Sequence, residues 1–285
     1  PCNPASKDAY KSYRWISLHP QMQNGKTKLA DEIVLVTRKL RREFGALVAV
    51  DDVDIQVQAQ TLHSIIGPNG AGKTTLFNLL SGNLSQTSGQ VFYRGQEITH
   101  MPVQKTAHLG IGRSFQITNL FPNLTVFENI RLAAQALGKD NFKLFMSAAS
   151  FQSYRERAAE VIELLGLQEE ANDLANTLPH GAQRKLELGM ILAPDPELLL
   201  LDEPTAGMAS EQVPELMALI GEIQEAGHKT VMLVEHNMNV VMNTSDRITV
   251  MHQGGVLAEG SPEEIAANEA VQNAYLGQLY GELVE

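Results

Sequence analysis

Hydrophobic residues recur along the chain in two patterns, as short apolar runs and as stretches with apolar residues every three or four positions. The runs predict strands that include Leu62 to Ile66, Leu198 to Leu201 and Thr230 to Val234. Four consecutive leucines indicate a strand buried on both faces, as in a parallel sheet. The three-to-four spacing predicts helices over Val126 to Leu137 and Tyr154 to Leu167. Together the patterns predict an α/β fold with a helical insert.

Further elements are predicted on either side of these segments. Val53 to Val57 alternates apolar and polar residues and predicts a strand. Ile111 to Gln116 predicts a strand that ends in glutamine. The remaining predictions are strands at Glu32 to Val36, Gly89 to Gly95, Arg247 to Met251 and Gly255 to Ala258, a turn at Gly254-Gly255, and a helix over Glu211 to Glu225.

The predicted elements divide the chain into an arm and one domain. Residues 1–31 are polar and irregular, and we expect them to be poorly ordered. The rest, residues 32–285, is then a single domain with a core of 32–116 and 190–260, a helical subdomain over 117–189 and a helical tail over 261–285.

Composition and charge exclude several classes of protein. The chain of 285 residues has 22 Lys+Arg against 33 Asp+Glu, a net charge of −11, which argues against nucleic-acid binding through a broad basic face. The one cysteine, Cys2, excludes an intrachain disulfide and is typical of a reducing compartment. No apolar run approaches the roughly 20 residues that cross a bilayer. We therefore expect a soluble chain that reaches a membrane only through a partner.

The most specific motif is a glycine-rich loop between a predicted strand and a predicted helix. Its spacing is G-x-x-x-x-G-K-[ST], that of a P-loop. The glycines allow backbone N–H groups to turn inward, at a helix N-terminus that favours an anion. Lys73 can reach the β- and γ-phosphates, and the Thr74 hydroxyl suits Mg²⁺. The predicted phosphate-binding residues are Gly67, Pro68, Asn69, Gly70, Ala71, Gly72, Lys73, Thr74 and Thr75.

Polar side chains also follow the ends of three other predicted strands. They are Gln116, the pair Asp202-Glu203, and His236. In a parallel sheet these strand ends would converge around one phosphate chain. Asp202 suits Mg²⁺ coordination, and Gln116 would contact the metal or a water. Glu203 would activate an attacking water as a general base, while His236 would bond a γ-phosphate oxygen or hold that water. A lone histidine is more often structural, and only the order of all four sites favours function.

This order of motifs resembles the ATP-binding subunit of an ABC transporter, from about residue 32 to 283. The resemblance implies a P-loop NTPase (RecA-like) core with an antiparallel β subdomain, an inserted helical subdomain, and ATP and Mg²⁺ as cofactors. It implies these roles: Walker A at residues 67–75, Q-loop at Gln116, Walker B at Leu198 to Asp202, catalytic carboxylate at Glu203, D-loop at Thr205 to Met208, switch histidine at His236, and adenine-stacking aromatic at Phe44.

The family's signature motif matches Leu178-Pro179-His180-Gly181-Ala182, just before a predicted helix. The resemblance implies that these residues close on ATP held by a second subunit, so that hydrolysis needs a dimer. Two positions depart from the usual pattern. Pro179 replaces the serine whose hydroxyl contacts the γ-phosphate, and Ala182 replaces a glutamine or aspartate. A lost charge-assisted hydrogen bond costs on the order of 1.5–3 kcal/mol, so we expect a slow ATPase.

Within the family, the chain most resembles importer subunits for branched-chain amino acids, related amides and urea. Three stretches carry this resemblance: Gly112 to Gln116 with Leu120-Phe121 and Thr125-Val126; Leu201 to Met208; and Pro262 to Ile265 with Ala274 to Gly277. It implies transmembrane permease subunits, which dock near Gln116 to Leu124, and a periplasmic substrate-binding protein that selects the substrate. It also implies a location on the cytoplasmic face of the inner membrane, and a dimer with itself or with a sister ATPase.

Three alternatives stay open at this point. Lipopolysaccharide-export ATPases share part of the same motifs. A soluble ABC ATPase acting on ribosomes or DNA usually has two cassettes or a long coiled coil, and this sequence has neither. Pro179 would also suit a nucleotide-responsive partner of a second ATPase, although Glu203 and His236 weigh against that.

Overall fold

Strand pairing divides the described part of the chain into two sheets. The computed structural model describes residues 32–114, 120–138, 148–226 and 228–274. The predicted arm, Gln116 and the tail beyond residue 274 lie outside these ranges.

The strands are β1 (Ile33–Phe44), β2 (Leu47–Val53), β3 (Gln56–Gln58), β4 (Leu62–Ile66), β5 (Ser88–Tyr93), β6 (Gln96–Glu97), β7 (Ile111–Arg113), β8 (Leu198–Asp202), β9 (Thr230–Val234), β10 (Arg247–His252) and β11 (Gly255–Gly260). The helices are α1 (Lys73–Leu80), α2 (Val103–His108), α3 (Val126–Ala136), α4 (Ala148–Leu165), α5 (His180–Leu192), α6 (Val213–Ala226), α7 (Met238–Thr244) and α8 (Pro262–Ala266).

The central sheet has the order β11-β10-β4-β9-β8-β7. Its strands are parallel except β11, which returns antiparallel to β10. The leucines of β8 are buried on both faces, as predicted. Leu199 and Leu201 pack toward the helices α5 and α6, while Leu198 and Leu200 pack toward α1 and the second sheet. This burial fixes the position of the strand end at Asp202.

The second sheet is antiparallel, with the order β2-β1-β5-β6 and with β3 paired to β1. Here the sequence prediction was wrong at Val53 to Val57, which is not one strand. Val53 ends β2 opposite Leu40, whereas Gln56 begins β3 opposite Val36. The Thr37 hydroxyl bridges the break, because it donates to the Val53 carbonyl and accepts from the Ile55 N–H.

The described residues between β7 and β8 include the helices α3, α4 and α5 and no named strand, in agreement with the predicted helical insert. Thr125 caps α3 by accepting a hydrogen bond from the Glu128 N–H. Helix α4 begins six residues earlier than the predicted start at Tyr154. The predicted boundary between residues 189 and 190 lies inside α5, so we propose that the helical subdomain ends after Leu192.

The C-terminal part differs from its prediction in two places. The turn between β10 and β11 lies at Gln253-Gly254, one residue earlier than predicted, and both residues have positive φ. The predicted helical tail is interrupted, because α8 ends before Ala267 and another helix begins at residue 269. No helix among the described residues combines the length and apolar composition needed to span a membrane.

Candidate functional site

The glycine-rich loop connects β4 to α1 at the carboxyl edge of the central sheet. Gly67 and Gly72 both have positive φ, 151° and 98°. A Cβ on Gly67 would lie 2.2 Å from the Met251 carbonyl oxygen, and one on Gly72 would lie 2.2 Å from that of Ala49. The loop is therefore held between β10 and β2 so tightly that only glycine fits at these two positions.

Lys73 begins α1 and turns back over the loop. Its Nζ donates hydrogen bonds to the carbonyl oxygens of Gly67, at 2.7 Å, and Pro68, at 3.0 Å. Burial lowers the pKa of Lys73, and the nearby carboxylates Glu203 and Asp202 oppose that shift. The ammonium thus lies at the centre of the loop, close to both carboxylates. This arrangement matches a phosphate cradle at a helix N-terminus.

Asp202 ends β8, two strands from the glycine loop, with β9 between them. Both carboxylate oxygens are buried and accept no hydrogen bond from any described residue. The Arg113 Nη2 atom lies 3.8 Å from Oδ2. Burial raises the pKa of Asp202, and Arg113 opposes that shift. A buried carboxylate with free lone pairs beside a phosphate cradle fits Mg²⁺, which prefers oxygen ligands. Thr74, half-buried in the first turn of α1, would supply the second oxygen.

Glu203 and His236 are brought into direct contact. His236 Nε2 lies 2.7 Å from Glu203 Oε1, and both side chains are partly exposed. Glu203 has a left-handed φ of 51°, and its N–H donates to the Val234 carbonyl across the sheet. A non-glycine residue in this conformation is uncommon and often occurs at functional sites. Sequence reasoning predicted both residues but not the bond between them.

Glu235 is a residue that sequence reasoning missed. It is 4 % exposed, and it accepts hydrogen bonds from the Thr205 N–H at 3.1 Å and the Thr205 hydroxyl at 2.5 Å. Its other oxygen accepts from the His236 N–H at 3.1 Å. Glu235 therefore fixes the turn after Glu203 and the backbone of His236 together. The sequence signal that could have identified Glu235 is a carboxylate directly after the buried strand β9.

Arg113 and Ser114, which precede Gln116 in the sequence, also contact the site, and sequence reasoning did not predict this. The Ser114 hydroxyl accepts from the Asp202 N–H at 2.8 Å. Arg113 Nη1 donates to the Ser81 hydroxyl at 2.6 Å, just after α1. Gln116 itself lies outside the described residues, so its predicted contact with metal or water stays a prediction.

Helix α5 begins at His180, within Leu178 to Ala182 as predicted, and Pro179 is its N-cap at φ −57°. In this chain they face the turn after Glu203. A Cβ on Gly207 would lie 3.4 Å from the His180 ring, and one on Gly181 would lie 3.1 Å from the Gln212 amide oxygen. No hydrogen bond among the described residues joins 178–182 to the glycine loop of the same chain. A direct role at this loop would need a second copy.

Phe44 ends β1 opposite Leu47. Its side chain is 45 % exposed, and the Arg42 guanidinium carbon lies 4.4 Å from the ring centroid. The ring is thus held by a cation on one side and is accessible to solvent. Stacking on adenine stays a prediction.

A cavity of about 490 Å³ opens between the core and the helical insert. Its apolar lining includes Ile111, Leu120, Leu137, Met190 and Ile191. Arg113 and Ser114 also line it, so the cavity reaches residues that contact Asp202.

Comparison with protein families gives two matches. The ABC transporter family matches residues 50–206. A second family, described as branched-chain amino acid ATP-binding cassette transporter, matches residues 256–278.

Two curated relatives match most of the chain. The chain is 41% identical over 250 residues to the high-affinity branched-chain amino acid transport ATP-binding protein LivG of Escherichia coli K12, across 86% of this chain and 98% of LivG. It is 30% identical over 247 residues to the lipopolysaccharide export system ATP-binding protein LptB of Haemophilus influenzae, across 87% of this chain and 98% of LptB.

Solved structures confirm the predicted fold class. The ADP conformation of an ATP-binding cassette of an ABC transporter matches with a TM-score of 0.75 at 28% identity, over 86% of this chain and 99% of that chain. A dimeric post-hydrolysis cassette bound to ADP and phosphate matches with a TM-score of 0.68 at 27% identity, over 80% and 98%.

Proposed function

Because this chain belongs to the ABC transporter family and is an ATPase of that family, we propose that it powers an importer of branched-chain amino acids. The observation that carries this proposal is the 41% identity that extends over 98% of LivG. The match of residues 256–278 to the branched-chain family supports it from outside residues 50–206, which match the ABC transporter family.

Nucleotide binding is assigned to the glycine loop. Its backbone N–H groups and Lys73 would hold the phosphate chain, with Phe44 against the adenine ring. Lys73 would exchange its bonds to the Gly67 and Pro68 carbonyls for phosphate oxygens. Thr74 and Asp202 would hold Mg²⁺, together with Gln116. The metal, when bound, neutralises charge on the phosphate oxygens.

Hydrolysis is assigned to the Glu203–His236 pair. The Glu203 carboxylate would accept the proton of the attacking water, which makes it the general base. His236 already bonds that carboxylate at 2.7 Å, so it would orient Glu203 and present its ring to the γ-phosphate. Glu235 would hold Glu203 and His236 in their relative positions, because it accepts hydrogen bonds from the backbone of His236 and from the turn that follows Glu203.

Completion of the site is assigned to a dimer. Residues 178–182 lie beside residues 207 and 212 of their own chain, and no hydrogen bond among the described residues joins them to its glycine loop, which supports a role in closing the site of another subunit. Pro179 lacks both an N–H and a hydroxyl for phosphate. We therefore propose that closure is weaker than with a serine and that turnover is slow.

Coupling is assigned to the cavity between core and helical insert. Its apolar lining and its contact with Arg113 and Ser114 suit a segment of a transmembrane permease. The chain would then lie at the cytoplasmic face of the membrane through that permease, and a periplasmic binding protein would select the substrate. Lipopolysaccharide export is the weaker alternative, because identity to LptB is 30% against 41% for LivG.

Leucine uptake tests this proposal. Escherichia coli cells that lack LivG would be supplied with this chain, with its Lys73→Ala variant, or with LivG itself, and uptake of radiolabelled leucine would be measured. We expect the chain to restore uptake and Lys73→Ala to leave it at background. If the purified chain hydrolyses ATP but uptake stays at background while LivG restores it, the proposed substrate class is wrong.

A further inference from the structure

Arg113 is a buried cation at the end of β7 that reaches three parts of the site. Its side chain is 6 % exposed. Nη1 donates to the Ser81 hydroxyl at 2.6 Å, and Nε donates to the Ser114 carbonyl at 3.3 Å. Nη2 lies 3.8 Å from Asp202 Oδ2. The guanidinium is therefore fixed by two hydrogen bonds, with its remaining nitrogen directed at the carboxylate.

Asp202 has few other sources of compensation for its charge. Both of its oxygens are buried without a hydrogen bond from the described residues. Lys73 donates to two loop carbonyls, and His236 bonds Glu203. A buried charge that loses its partner is strongly destabilising. Arg113 is thus the cation placed to compensate the buried charge of Asp202.

We propose that Arg113 is a positioning residue that holds Asp202 in place until Mg²⁺ arrives. The guanidinium supplies positive charge beside the Asp202 carboxylate and would yield that role to Mg²⁺ in the nucleotide complex. Ser81 and Ser114 fix the guanidinium, so the carboxylate keeps one position in both states. This inference rests on the proposed magnesium role of Asp202.

Thermal unfolding in two ligand states tests the inference. Arg113→Gln is expected to lower the melting temperature by about 5–10 °C in EDTA, because it leaves a buried carboxylate without a partner. With Mg²⁺ and a non-hydrolysable ATP analogue the loss is expected to be less than half as large. An equal loss in both conditions would overturn the inference, since a merely structural bond to Ser81 is lost in both.

A double variant separates charge from packing. In EDTA, Arg113→Gln is expected to cost little when it is combined with Asp202→Asn, because no buried charge remains to be compensated. The same large cost in both backgrounds would contradict the inference. If Arg113→Gln alone does not fold but the double variant does, the counter-ion role is supported.

Magnesium titration gives a second readout. Nucleotide binding would be followed with a fluorescent ATP analogue as Mg²⁺ is added. Removal of a competing cation is expected to shift the midpoint to roughly fivefold lower Mg²⁺ in Arg113→Gln, whereas Arg113→Lys keeps the charge and the wild-type midpoint. A midpoint at higher Mg²⁺ would refute the inference, because structural damage to the site raises the Mg²⁺ concentration that binding needs.

A matched control and the wild-type protein complete the test. Arg157 is an arginine with 18 % side-chain exposure that bonds the Leu192 and Ala193 carbonyls away from the site, and Arg157→Gln is expected to keep the wild-type midpoint. Nucleotide binding by the wild type that did not depend on Mg²⁺ would count against the proposed role of Asp202. If nucleotide binding by the wild type depends on Mg²⁺ but Arg113→Gln keeps the wild-type midpoint, the result would count against the role of Arg113 and not against that of Asp202.

Discussion

The buried histidine of the P-loop strand makes a quantitative prediction about stability and pH. His63 lies in β4 and is fully buried. Its Nε2 is 2.8 Å from the Thr249 hydroxyl, which in turn donates to Glu259 at 3.1 Å. We infer from this chain of bonds that Nε2 carries the proton of the neutral ring. Among the residues that the structure describes, the Nδ1 atom has no partner, so protonation would bury an N–H without an acceptor.

The magnitude follows from the pKa. Burial lowers the pKa of His63 from 6.5 to about 4, with Glu259 opposing the shift. The unfolded chain therefore binds a proton below about pH 6.5, whereas the folded chain does so only near pH 4. Stability from this residue is complete above pH 6.5 and is lost as pH falls. The loss between pH 8 and pH 5 is about 2 kcal/mol, and it reaches about 3 kcal/mol near pH 4.

Urea unfolding followed by circular dichroism, without nucleotide, measures this loss. The free energy of unfolding would be compared at pH 8 and pH 5 for the wild type and for His63→Val. The variant is expected to lose about 2 kcal/mol less than the wild type over this range. His100→Gln, at an exposed histidine, is the control and is expected to follow the wild type. Equal pH dependence in His63→Val and the wild type would refute the reasoning.

Three further changes test the site. Glu203→Gln is expected to keep ATP binding and to lower turnover by about 10²–10⁴-fold, measured as phosphate release; turnover at the parent rate would remove the general-base role. Pro179→Ser adds a hydroxyl and an N–H, so turnover is expected to rise about tenfold, and an unchanged rate would argue against our account of slow closure. Gly72→Ala places a Cβ 2.2 Å from the Ala49 carbonyl oxygen and is expected to abolish ATP binding. The control Gly166→Ala, also at positive φ but in open space, is expected to retain ATP binding. Equal ATP binding by both variants would contradict the steric argument.

The strands that could be predicted to within a residue are those buried on both faces. β4, β8 and β9 are mostly apolar runs that are fully buried, and each ends at or just before a polar or glycine residue, so local sequence marks their C-terminal limits. The break between β2 and β3 could not be predicted in this way. It depends on the Thr37 hydroxyl, which lies 16 residues from Val53 and 18 from Ile55 in sequence. The alternation of apolar and polar residues carries no information about such a contact.

The candidate site likewise contains features that the sequence could predict and contacts that it could not. Motif spacing predicted the glycine loop, Asp202, Glu203 and His236, because each follows a recognisable strand. The bond between Glu203 and His236 joins residues 33 apart in sequence. The approach of Arg113 to Asp202 depends on the pairing of β7 with β8. Such contacts depend on register and rotamer, which a single sequence does not fix.

The position of β4 has a consequence for synthesis. Its neighbours in the sheet are β9 and β10, both near the C-terminal end, and His63 is 186 residues from its partner Thr249. At about 5–20 residues per second, a ribosome takes roughly 10–40 s to translate that interval. During this time the antiparallel sheet, whose strands all precede Ile98, can pair by itself, while the P-loop strand has neither neighbour. The growing chain therefore completes the candidate site at the end of β4 only when β10 has left the ribosome, and until then β4 is a largely apolar segment that needs protection from aggregation.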